Sequence, residues 1–167
     1  MKQKIDLQTW DRKDHFEFYT RFKEPYHGVN VSLDITALKE RCKQDNSSVF
    51  MHYLHRAIIA VNKVEALRYR ILNNEVYLFD TTHVTMTVAR DHAPFGFSFV
   101  AFNKDFSVFE AEAKQEFERV RQSKGLDLSV SRDNVVHFSA LPWINFSGIT
   151  HARDLESEDC SPKITFG

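Results

Sequence analysis

Two stretches of helical periodicity are separated by four alternating stretches, and that interleaving limits what this chain can fold into. From Ser47 or Ser48, "SVFMHYLHRAIIAVNK" puts Phe50, Leu54, Ala57, Ile58 and Val61 on one helix face. An apolar stripe of that width must be buried against another layer, here a sheet. In the second helical stretch Ser107 and Glu110 have capping-box spacing, Phe109, Ala113, Phe117 and Val120 form the face, and Gly125 marks the end. Between the helices, "LRYRI" and "EVYLFD" meet at Asn73-Asn74, a pair that tolerates the positive φ of a tight hairpin. "HVTMTVAR" and "FGFSFVAF" alternate as half-buried strands do. The expected class is α/β, a two-layer mixed β-sheet with helices packed on it.

The flanks extend this pattern. "TWDRKDHFEFYTRF" reads as a short helix or two turns with Thr9 as cap, and Thr36 caps another short helix through Lys43. "HGVNVSLDI" alternates Val29, Val31 and Leu33 as a half-buried strand, and "DNVVHFSAL", "WINFSGI" and "KITFG" read as further strands. No repeat, low-complexity tract or long linker interrupts the 167 residues, so one domain spanning 1–167 is expected. The chain closes on "SPKITFG", an extended stretch with no turn, cap or polar tail after it.

Composition excludes several classes. Fifteen phenylalanines against two cysteines describe an aromatic core that does not depend on disulfides, and Cys42 and Cys160 have no metal-ligand spacing. A reducing, cytoplasmic setting is expected. The charged N-terminus lacks the apolar core of a secretory signal, and no run approaches a membrane span. A formal charge of −1 argues against bulk attraction to nucleic acid or anionic lipid. No nucleic-acid or membrane partner is therefore expected.

Chemistry-bearing residues are few. His52 and His55 share a helix but have no third ligand at a suitable spacing, so no metal is expected and both read as partly exposed. His137 and Ser139 share one strand face roughly 6.6 Å apart, too far for a hydrolase dyad without a bulge. Neither a G-x-S-x-G elbow nor a phosphate-binding glycine loop is present. In "SALPWINF", Pro142 cannot donate to a ladder and marks a strand break, beside which Trp143 offers a large apolar plane.

"WDRKDHFEFY", "VSLDITALK", "AVNKVEALRYRI", "SALPWINF" and "SPKITFG", in that order, resemble the chloramphenicol acetyltransferase family over essentially the whole chain. The resemblance implies that family's fold and direct acetyl transfer from acetyl-CoA to a drug hydroxyl. It gives Ser139 as the hydrogen-bond donor to the tetrahedral oxyanion and Thr165 as the residue that positions a bound water. Arg12 supports the site by pairing with a carboxylate. Phe18 and Tyr19 line the acceptor pocket, together with either Phe95 or Phe97. It also implies a homotrimer with sites between subunits, the acceptor pocket and serine on one and the base histidine on its neighbour.

The family's base lies in an H-H-x-x-x-D-G motif, and no such motif occurs here; "RDHAPFG" and "THARD" have the wrong order. The expectation is a chain cut off before the family's last strands and helix, inactive alone for want of that histidine. His151 falls where the family tends to put an apolar pocket residue, and it is a nominal substitute base. Two other readings stand beside this one: a non-catalytic remnant or binding module of the same fold, and a CoA-dependent acyltransferase with another acceptor.

Overall fold

The computed structural model describes residues 1–127, 132–152 and 160–167. The last two residues of "THARD" therefore lie outside the described residues. A three-stranded antiparallel sheet, in the order β1-β3-β2, is formed by β1 (Lys2–Lys4), β2 (Tyr69–Leu72) and β3 (Glu75–Phe79). Asn73 and Asn74 turn β2 into β3 with φ of 53° and 60°, the left-handed pair that a two-residue hairpin needs. The second sheet, in the order β5-β4-β6-β7, comprises β4 (His83–Val88), β5 (Gly96–Val100), β6 (Val135–Ala140) and β7 (Lys163–Phe166). Here β4 is antiparallel to β5 and parallel to β6, which is parallel to β7. The mixed α/β architecture is the expected one.

Two long helices, α3 (Val49–Lys63) and α4 (Phe106–Gln122), cover one face of this second sheet; α1 (Lys13–Tyr19) and α2 (Thr36–Gln44) precede them. Leu54, Ile58 and Val61 of α3 and Phe109, Ala113, Phe117 and Val120 of α4 pack with Val84, Met86, Val100, Val136 and Phe138 of the strands. Each such side chain larger than alanine contributes about 1.5–3 kcal/mol when fully removed from water. The packing is close enough to dictate a glycine. A Cβ on Gly96 would stand 2.6 Å from Val120 Cγ1 and 2.8 Å from the Arg90 guanidinium, so only a bare Cα lets α4 approach β5.

One buried cation joins the two sheets. Arg70 of β2 is 2% exposed and donates to the carbonyls of Leu67, Tyr69, Asp133 and Val135. A buried charge is tolerable when its donors are so satisfied.

Three of the four helix starts differ from expectation. Asp105, not Ser107, caps α4: its Oδ1 accepts from the backbone N–H groups of Ser107 and Val108 at 2.8 and 3.2 Å. Glu110 is instead free to pair with Lys114 one turn on, at 2.9 Å. Asp34 Oδ1 takes the N–H of Thr36 that opens α2, and no side-chain cap comes from Thr36. Thr9 does not cap α1, because Asp6 has already folded residues 6–9 into a turn and the helix starts at Lys13. Ser48, one of the two candidates, caps α3 through the N–H of Met51.

Two expected strands are not formed. "HGVNVSLDI" has no ladder, and Val29, Val31 and Leu33 are 76–78% exposed. Alternation reports an apolar side to the segment, but nothing in the described chain covers it. "WINFSGI" fails for a local reason: Pro142 offers no N–H, and a turn closes from the Ile144 N–H to the Leu141 carbonyl at 2.9 Å. β1, by contrast, was not expected from the sequence.

Candidate active site

The helix-free face of the four-stranded sheet gathers the polar side chains. Register pairs Thr85 with Phe99 and Thr87 with Phe97 across β4 and β5, and Thr85 with His137 across β4 and β6. Across β6 and β7, His137 pairs with Lys163 and Ser139 with Thr165. Paired residues share a face, and their alternates Val84, Met86, Val136 and Phe138 lie in the core under the helices. Ser139 and Thr165 are therefore side-by-side on neighbouring strands, both half-buried. β6 keeps a regular register from His137 to Ala140, so no bulge closes the gap between His137 and Ser139.

The strand break beyond Ser139 is tightly made. Leu141 N–H donates to the Phe166 carbonyl at 2.8 Å, the last bond of the β6–β7 ladder before Pro142 ends it. The chain then runs outward past Trp143, which is 75% exposed, and the amide of Asn30 holds the Ser147 carbonyl. It returns at His151, whose Nε2 shares a 2.6 Å hydrogen bond with Thr165 Oγ1. On the opposite, helix-covered side, a cavity of about 250 Å³ opens at the strand ends, lined by Phe50, Tyr53, Met86, Val88, Phe117 and Ala140 among others, with Arg121 the one charged group on its wall among the described residues.

The other sequence candidates sit apart from this pair. Arg12 lies over the Tyr69 ring at 5.8 Å on the small sheet, where Trp10 also meets Tyr69 edge-on at 5.2 Å. No ion pair involves Arg12 among the described residues. Burial pushes the Tyr69 phenol up and its hydrogen bond to Glu65 adds to that, while Trp10 and, more weakly, the charge of Arg12 work against both. Phe18, Tyr19 and Phe22 form an exposed cluster with ring centroids 5.0–5.4 Å apart. Phe95 and Phe97 meet edge-on at 5.6 Å; Phe97 stands in β5 on the face that carries Ser139, and Phe95 just precedes the strand, 47% exposed.

Two histidine expectations are corrected or refined by the packing. His55 is not partly exposed but buried, with Nε2 2.9 Å from the Asn103 carbonyl oxygen and its ring against Phe106 and Phe109. His52 is half-buried, stacked on Phe106 at 4.1 Å. Among the described residues, no group of three or more His, Cys, Asp or Glu is placed to hold a metal. His83 is held below the usual histidine range chiefly by burial, and then by the charge of Arg132; its Nδ1 accepts the Phe102 N–H at 2.9 Å.

A family model described as chloramphenicol acetyltransferase matches residues 2–162. The chain belongs to the chloramphenicol acetyltransferase family. It is 27% identical to chloramphenicol acetyltransferase 3 of Escherichia coli, over 86% of this chain and 68% of that one. It is 28% identical to chloramphenicol acetyltransferase of Staphylococcus aureus, over 98% of this chain and 79% of that one. A solved chloramphenicol acetyltransferase superposes with a TM-score of 0.87 at 26% identity, covering 99% of this chain and 81% of its own. Arg12, Phe18, Tyr19, Phe95, Phe97 and Ser139 fall inside the residues matched by the family model; Thr165 lies beyond them. The contact between His151 and Thr165 was not foreseen. It joins two segments by tertiary folding, and no periodicity in either one signals it.

Proposed function

We propose that this chain carries the oxyanion and acceptor half of a chloramphenicol-type O-acetyltransferase site. The observation that carries the reading is the register of Ser139 with Thr165 on the helix-free face, in a chain of this family. The acceptor hydroxyl attacks the thioester carbonyl of acetyl-CoA. The carbonyl π electrons move to oxygen, and Ser139 Oγ–H donates to that oxyanion, a role worth about 10²–10³ in rate. Collapse expels the CoA thiolate and leaves the acetyl ester. The acceptor's proton must pass to a base, typically worth about 10²–10⁴, and through it to the departing thiolate.

No H-H-x-x-x-D-G motif supplies that base within these 167 residues. The chain alone is therefore proposed to be inactive, even as a homotrimer, and to need a neighbouring subunit that itself carries the motif. The uncovered row of Val29, Val31 and Leu33 supports such an assembly, since exposed apolar rows of this kind favour a partner surface. Thr165 is assigned to water positioning, Phe18, Tyr19 and Phe95 or Phe97 to the acceptor pocket, and Arg12 to support of the site. Cys42 and Cys160 are not joined to each other in a disulfide, which suits a reducing cytoplasm.

Subunit mixing tests the proposal. This chain is assembled with a full-length family member carrying Ser→Ala in its own S-x-L-P-W motif, and thiol release from acetyl-CoA is followed with chloramphenicol present. Activity is expected in the mixture and in neither component alone, and Ser139→Ala should remove about 10²–10³ of it. Silence from hybrids shown to have assembled refutes the half-site. Turnover of dihydrolipoamide but not chloramphenicol would transfer the site to another acceptor.

A further inference from the structure

We propose that Arg90 is a positioning residue for the acceptor site: its guanidinium ties the end of α4 to the backbone of Phe95 and so fixes where the Phe95–Phe97 ring pair stands. This rests on the acetyltransferase reading above, in which one of those two rings lines the acceptor pocket.

The segment that carries Phe95 has little packing of its own. Between β4 and β5, residues 89 and 91–95 are all exposed, and Arg90 alone is half-buried. Apolar burial therefore does not fix the place of Phe95. The guanidinium does. Arg90 Nη2 donates to the carbonyls of Phe95 and Gly125, and Nη1 to the carbonyl of Ser123, each at 2.8 Å. Ser123 caps the end of α4, and Gly125 follows with φ of 69°. A helix end of this kind leaves carbonyls unpaired and favours a cation through its dipole.

The seat suits a planar fork. A Cβ on Gly96 would stand 2.8 Å from Nη2, so the glycine is what admits the guanidinium beside the start of β5. Three carbonyls meet two nitrogens of one rigid plane, which the single point charge of a lysine does not reproduce. Nε is buried without a partner, and no carboxylate pairs with Arg90, among the described residues. Its bonds thus join backbone to backbone across two segments. Phe97 is held by the β4–β5 ladder, whereas Phe95 lies one residue outside it and meets Phe97 edge-on at 5.6 Å. Releasing Arg90 should leave Phe97 in place and set its partner ring free.

The hybrid assembly described above gives the readout. Only sites that use the serine of this chain turn over there, so their KM for chloramphenicol reports this chain's pocket. Arg90→Lys keeps a positive charge at the end of α4 and Arg90→Met removes it, with circular dichroism to compare folding. Both should raise KM for chloramphenicol about 5- to 10-fold, the loss of one well-placed aromatic contact. KM for acetyl-CoA should stay within about 2-fold and kcat within about 3-fold, as when binding common to ground and transition states is removed. A charge at the helix end, by contrast, would be restored by lysine. In the wild-type chain the Arg90 Nη protons should give separate, slowly exchanging NMR signals, a readout that needs no variant to fold. Wild-type KM for chloramphenicol in Arg90→Lys hybrids, or averaged Nη signals, overturns the role of Arg90 and leaves the acetyltransferase reading standing. Wild-type hybrids that assemble and stay silent overturn both.

Discussion

The two faces of the four-stranded sheet are built from the same four strands and have opposite chemistry. Under α3 and α4 lie Val84, Met86, Val100, Val136 and Phe138, closed against Leu54, Ile58 and Phe109. One residue along each strand, the other face carries Thr85, Thr87, His137, Ser139, Lys163 and Thr165. Since the side-chain period of a strand is two, stability and candidate chemistry are segregated residue by residue instead of domain by domain. Substitutions one position apart should therefore have unlike consequences.

The largest expected stability effect is at Leu54, which is fully buried between the layers. Leu54→Ala should cost about 2–5 kcal/mol in urea unfolding. Ser139→Ala on the other face should change stability by about 0.5 kcal/mol or less. Similar losses from the two substitutions would show that the faces are not energetically distinct.

A smaller effect separates two readings of the helix that covers the core. Asp105→Ala removes an acceptor from the N–H groups of Ser107 and Val108 and should cost about 1 kcal/mol, whereas Ser107→Ala should cost a few tenths. The reverse ranking would restore the capping box that the sequence suggested.

The smallest concerns pH. His83 ends in the native state with a depressed pKa, so the unfolded chain binds its proton more readily. Its contribution is then present above the unfolded histidine value of about 6.5 and is lost as pH falls from there through the folded value. Stability of wild type should decline over that acid range more steeply than that of His83→Gln, measured by denaturant midpoint against pH. Parallel curves would remove His83 from the account.

These contrasts also explain what could be read in advance. Helices α3 and α4 and the Asn73-Asn74 hairpin were legible because local periodicity and backbone preference decide them. The caps of α2 and α4 were not, because Asp34 and Asp105 sit just outside the periodic stretches, next to residues with equally suitable side chains. The segment around Val31 misled because alternation reveals an apolar side without saying which surface covers it. Of the candidate site, Ser139 and Thr165 were placed by resemblance, and their shared face follows from strand register. The imidazole of His151 came to Thr165 through a tertiary contact that neither segment encodes alone.

Arg70 gives the arrangement a further consequence. Its guanidinium grips the carbonyls of Asp133 and Val135 at the threshold of β6 while its backbone belongs to the hairpin. Fraying of the small sheet thus loosens the foot of the strand whose fourth and fifth positions are Phe138 and Ser139. The hairpin behaves as a clamp, and its melting and the misalignment of Ser139 should arrive as one cooperative event.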